Sequence, residues 1–353
     1  MGETKMAVTV DRTLLRRMLA LTAIAFCLFA ASSVAAQQPY KIIEHWKIGG
    51  TGSWDYLVAD SAAHRLYVTH GQQVVVIDST TGKAVGAITG LKKAHGVALD
   101  DQDKFGYISD GDSNNVVVFD RYDFRIVATI PAGTNPDGIV FDPSTKTVWA
   151  FNGHGKNVTI IDTATNQVNT SVDVPGKPEF PVADGHGSVY DNIETENAIV
   201  RFDARAKKIT ATWKLNDCES PSGLAIDREH HKLFAVCDGK KMAVVDADSG
   251  KQIASPKIGD GPDATDFSSK HKLAFSSNGD GTLTVVDAAH GYKVIENLPT
   301  AKGARTMTYD EATDRVYLVT AKFGPVPAPT PQVQHPRPTA LPDSFEVIVI
   351  GRK

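Results

Sequence analysis

The stretch Gln73-Val74-Val75-Val76-Ile77-Asp78 decides the fold, because a β-branched run ending in Asp returns down the chain. It recurs as VVVFD ending at Asp120, VTIID at Asp162, AIVRFD at Asp203, MAVVD at Asp246 and LTVVD at Asp287. The spacings are 42, 42, 41, 43 and 41 residues. A seventh copy, FEVIVIG, ends at Gly351, displaced by an insert at 324–344 that holds seven prolines and reads as an extended loop.

Each period carries four short apolar runs separated by polar turns. One ends GVALD, GIVFD or GLAID. The next holds an aromatic or small residue, as in RLYVT, FGYIS and TVWAF. The Asp-terminated run follows, and then a short alternating one such as FRIVATI. Runs of this length and density predict strands, and no amphipathic helix competes with them. Four strands per ~42 residues is the signature of a propeller blade. The chain opens with an isolated fourth-strand pattern, YKIIEHWKI (40–48), and ends on a third strand. The predicted fold is therefore an all-β, seven-bladed propeller over 37–353, its ring closed by the N-terminal strand pairing into the last blade. Closure of this kind covers sheet edges that would otherwise template aggregation.

Residues 1–36 read as a secretory signal. Lys5, Arg12, Arg16 and Arg17 precede an uncharged apolar run, Met18–Ala30, and then Ser33-Val34-Ala35-Ala36. That run is shorter than the ~20 residues of a membrane-spanning helix. The expected location is the periplasm or the exterior, with no transmembrane span in the mature chain. The signal carries a net +2, so removing it takes the formal charge from −4 to −6. An acidic chain without a basic cluster argues against nucleic acid as a partner. The remaining cysteines, Cys218 and Cys237, form an even pair and are a disulfide candidate. A monomer is expected.

Two phrases carry a family resemblance. Leu66-Tyr67-Val68-Thr69-His70 resembles the repeat signature Tyr-Val-Thr-Asn, with His for Asn. Pro-x-Gly followed by an apolar strand ending in Asp recurs at 136–142 and 221–227. Over residues 40–353 the chain is similar to the YVTN-repeat, YncE-like bacterial propellers. The resemblance implies architecture and export more than activity, since members mostly lack an assigned reaction. Related propellers include lactonases and subunits of quinoproteins, so fold alone does not choose a function.

Aligning the repeats places a set of polar residues on one face of the ring. At the start of the innermost strands stand Asp55, His95, Asp137, Glu179, Ser222, Asp263 and Arg305. At the end of the second strands stand His70, Asp110, Asn152, Asn192, Cys237, Ser277 and Thr320, with His154 just beyond. Asp55, Asp137, Glu179 and Asp263 offer hard oxygens suited to Ca²⁺. Addition of His95, His70 or His154 would suit a transition metal. The metal set expected is Asp55, His95, Asp137, Glu179 and Asp263. A ring of solvated polar side chains around a water-filled funnel would produce the same pattern. The remaining turn histidines, His64, His186, His230, His231 and His271, fall on the opposite face.

No G-x-S-x-G, H-E-x-x-H, P-loop or C-x-x-C-H motif occurs. The leading functional expectation is a cell-envelope binding or scaffolding module that takes a protein or small-molecule ligand on its funnel face. The alternative is a metal-dependent, lactonase-like hydrolase at the channel mouth.

Overall fold

The computed structural model describes residues 1–4, 39–102, 104–330, 336 and 338–352. The signal segment lies almost wholly outside these residues, as does His335 of the Pro-rich insert. The described chain from Tyr40 onward forms seven four-stranded antiparallel sheets. Six are sequential, at 54–89, 94–131, 136–173, 178–214, 219–254 and 262–299. The seventh joins Thr306–Asp310, Arg315–Thr320 and Glu346–Gly351 to the N-terminal strand Lys41–Lys47, which lies outermost. The expected ring closure is thus observed. Among the described residues the only helical elements are two 3₁₀ turns, Gly111–Ser113 and Glu194–Glu196.

The sequence explains the blades. Second and third strands are buried on both faces and read as unbroken apolar runs, such as Val74–Ile77. Fourth strands are half solvated and alternate, as Lys293–Pro299 does. Each second strand places an aromatic at its third residue: Tyr67, Tyr107, Trp149, Tyr190, Phe234, Phe275 and Tyr317. Each packs into an apolar cluster shared with a neighbouring blade. Trp149 and Phe151 of blade 3, for example, meet Val189, Val200 and Phe202 of blade 4. Seven such clusters make a ring-shaped core instead of a central one.

The Pro-rich insert is tied at its base. Phe323 pairs with Ala340, the amide of Gly324 donates to the Thr339 carbonyl, and the amide of Leu341 donates to the Lys322 carbonyl. Cys218 and Cys237 are joined as a disulfide within blade 5, with Cα atoms 5.2 Å apart. No helix among the described residues is long and apolar enough to cross a membrane.

Candidate functional site at the channel mouth

Six of the seven innermost strands break register at the same place. The breaks fall between Trp54 and Leu57, Ala94 and Val97, Pro136 and Ile139, Pro178 and Pro181, Pro221 and Leu224, and Pro262 and Ala264. Proline suits the first position because it lacks an N–H that a ladder would need. The bulge re-aims the second residue, which in these six blades is Asp55, His95, Asp137, Glu179, Ser222 or Asp263, while Arg305 stands just before the seventh innermost strand, Thr306–Asp310. Glycine follows in blade 3 because the next blade comes too close for a side chain. A Cβ on Gly138 would stand 2.2 Å from the Glu179 carbonyl oxygen.

Hydroxyls and amides on the second strands fix these bulges. Thr69 Oγ1 accepts from the Asp55 amide (3.1 Å) and donates to the Tyr56 carbonyl (2.9 Å). Ser109 Oγ accepts from the Gly96 amide (2.9 Å) and donates to the Asp137 carbonyl of the next blade. Ser277 donates likewise to the Arg305 carbonyl. The amide of Asn192 donates to the Ser222 (2.8 Å) and Gly223 (3.0 Å) carbonyls.

Three of the five expected metal ligands converge. One ligand atom each from Asp55, His95 and Asp137 lies within 4.8 Å of the others. His95 Nδ1 is 2.6 Å from Asp55 Oδ2 and 3.4 Å from Asp137 Oδ1. Its Nε2 is buried against Gly111 and has no hydrogen-bond partner among the described residues. Glu179 and Asp263 do not join the group, because each is held by a cation of its own. Lys177 Nζ lies 2.8 Å from Glu179 Oε2 and also bonds Glu194, and Arg305 Nε lies 3.1 Å from Asp263 Oδ2.

The site's electrostatics follow from crowding carboxylates in a desolvated ring. Burial, then the charge of Asp55, raises Asp137. Burial, then the charge of Asp137, raises Glu179. Burial pulls His95 down, but the Asp55 hydrogen bond and the Asp137 charge outweigh it, leaving the imidazole raised.

Asp110 and Asn152 bond within the scaffold. Asp110 accepts from the amides of Lys92 and Lys93 and from Ser113 Oγ. Asn152 donates to Asn157 Oδ1 and Thr159 Oγ1. His70 is 3% exposed and stacks on Phe345 with ring centroids 4.2 Å apart, and burial lowers its pKa. Its ring is packed into the core between blades 7 and 1. His154 is exposed in its turn. The sequence alignment also slipped by one residue in two blades. The partners of Pro178 and Pro262 are Ile193 and Asn278, not Asn192 and Ser277. A slip of one residue moves a side chain to the other sheet face, which is why Asn192 and Ser277 turn inward to bond the next blade.

Two features went unread in the sequence. Tyr56 of blade 1 and Phe180 of blade 4 follow Asp55 and Glu179, and their rings meet edge to face with centroids 4.7 Å apart. Blades 1 and 4 are not neighbours, so this contact crosses the channel below the acidic ring. Asp191 is the second. It is fully buried, and among the described residues no side chain hydrogen-bonds its carboxylate. Equivalent positions hold Val68, Ile108, Ala150, Ala235, Ser276 and Leu318, so an acid in a mostly apolar column was the available signal.

No sequence family and no curated protein matches the chain. Many solved structures share its fold. Hydrazine synthase of Kuenenia stuttgartiensis is similar at 14% identity and a TM-score of 0.68, over 82% of this chain and 95% of that one. The U3-55K structure is similar at 9% identity and 0.71, over 89% and 98%. The WD40 repeats of RRP9 are similar at 9% and 0.71, over 90% and 98%. At these identities the likeness shows a β-propeller and nothing finer.

Proposed function

We propose that the protein is an exported binding propeller of the YVTN-repeat kind. Its channel mouth holds a divalent transition-metal ion at Asp55, His95 and Asp137 and through it a ligand or partner protein. The observation that carries this reading is the convergence of those three side chains from three consecutive blades. Tetrahedral ligands at ~2.1 Å from a metal are about 3.4 Å apart. The His95–Asp137 separation already has that value, and Asp55 needs only to give up its hydrogen bond to His95. One imidazole and two carboxylates favour a zinc- or manganese-like ion over calcium, which takes six to eight oxygens. Such an ion would supply a Lewis-acidic position open to the funnel. The disulfide supports an oxidising compartment, the periplasm or the exterior.

Glu179 favours hydrolysis as a second reading. A carboxyl with a raised pKa next to a ligand carboxylate can hold a proton at neutral pH and deliver it to a leaving group. The metal-dependent lactonase reading therefore rests on Glu179 as proton donor, with Lys177 holding its orientation.

Elemental analysis of the purified mature protein, followed by titration of Zn²⁺ and Mn²⁺ into chelator-treated protein, tests both. One ion per chain is expected, lost in His95→Ala and in Asp137→Ala. A wild-type chain that takes up neither ion removes the metal from the proposal. Metal-dependent turnover of a lactone panel, lost in Glu179→Gln, would select the hydrolase.

A further inference from the structure

Below the Tyr56–Phe180 contact the channel widens into a cavity of about 540 Å³, independent of the acidic mouth. Its walls are the innermost strands of blades 1 to 4. Val58, Ala59, Leu99, Val140, Phe141 and Phe180 line it and remain partly exposed, whereas the second and third strands bury their apolar residues almost fully. The volume falls within the ~300–1,000 Å³ of small-molecule sites, which combine apolar walls with a few placed polar groups. The mouth of this cavity supplies such groups.

Three charged residues stand at that mouth: Asp100, Asp101 and Arg228. The Asp100 carboxylate accepts from the amides of Lys104 and Phe105 (both 3.0 Å) and lies 3.5 Å from Arg121, which also pairs with Asp60. Asp101 is paired with Lys146. Both acids are therefore compensated. Arg228 is exposed, and among the described residues its guanidinium makes one hydrogen bond, from Nε to the Ala183 carbonyl (3.1 Å). Asp184 and Asp266 lie near it but beyond ion-pair reach. Asp184 accepts from three amides of its own turn, and Asp266 from those of Phe267 and Tyr309. The terminal nitrogens of Arg228 are thus left to a ligand. A guanidinium offers them as a planar fork that matches a carboxylate.

We infer that this lower chamber binds a small molecule with an apolar body and a carboxylate head, the body between blades 1 and 4 and the head on Arg228. The test is calorimetric titration of the full mature chain with 2-naphthoate and with its uncharged counterpart, 2-naphthalenemethanol. Saturable one-to-one binding of naphthoate is expected, with the alcohol weaker. Arg228→Gln should weaken naphthoate about tenfold and bring it level with the alcohol. Ala59→Phe and Val140→Phe, each checked for a native unfolding transition, should abolish both by filling the chamber. Absence of naphthoate binding, equal affinity for acid and alcohol in the wild type, or affinity unchanged by Arg228→Gln overturns the inference.

Discussion

Asp191 occupies a site where other blades place Val68, Ile108 or Ala150, and among the described residues no side chain pairs with its carboxylate, which only the Glu179 backbone partly relieves. Burial, then the charge of Glu179, holds its pKa well above the ordinary carboxylate range. Below about pH 4 folded and unfolded chains both carry the proton, so the residue costs nothing electrostatically. As pH rises past that value, only the unfolded chain releases it freely, and stability falls until the folded value is passed. Asp191→Asn should therefore stabilise by about 1–3 kcal/mol at pH 8 and leave pH 3.5 unchanged, as read by urea unfolding at the two pH values. An equal gain at both would assign the effect to packing. His95 runs the other way. A metal must displace the proton that Asp55 and Asp137 favour there, so affinity should fall as pH drops through the raised imidazole pKa. Calorimetric Zn²⁺ titration between pH 5 and 8 measures that slope, and a flat profile would remove His95 from the ligand set.

The strand repeat was legible in sequence because period-two burial and β-branched runs report directly on a pleated core. Blade count, closure by Tyr40–Ile48 and the ring of second residues all followed from it. Side-chain destinations were harder to read. His70 looked like a ligand because its strand end faces the funnel, yet Phe345, brought alongside by ring closure, stacks on it. Asn192 falls one residue short of the strand end, where Ile193 pairs with Pro178. The aromatic column gives the true register, since Tyr190 plus three is Ile193, as Tyr67 plus three is His70. Asp55, His95 and Asp137 were named, but their separation from Glu179 depends on Lys177, which no repeat position foretold. At this scale the disulfide has a measurable role. It staples the first hairpin of blade 5, with Cys237 opposite Pro221 and Cys218 just before the strand. Closing about 20 residues in the unfolded chain is worth about 3 kcal/mol. The Cys218→Ala/Cys237→Ala double variant should lose that amount in guanidinium unfolding, and reductant should then have no further effect. Loss far below it would mean the buried pair matters through packing instead.

Across the whole molecule, stability is distributed over seven inter-blade clusters, and the ring is completed by contacts roughly 300 residues apart in sequence. The N-terminal strand pairs with Glu346–Gly351 from Lys41 to Lys47. Tyr40 donates to Asp314 (3.0 Å) beneath the Arg352 guanidinium, and Trp46 packs on Tyr317. Closing so long a loop costs entropy before any contact rewards it, so this junction should form last in folding. The same junction covers the Glu346–Gly351 edge, whose Val347, Ile348, Val349 and Ile350 are fully buried. Deleting residues 1–48 would leave blade 7 with three strands and that apolar edge open to a second chain. The truncated protein should elute as dimers or larger species in size-exclusion chromatography with light scattering. Trp46→Ala in the full chain should elute as the parent chain does and lose about 3–5 kcal/mol. A truncated chain that elutes as the parent does, with unchanged stability, would show that three strands suffice to close the ring and that the N-terminal strand is dispensable.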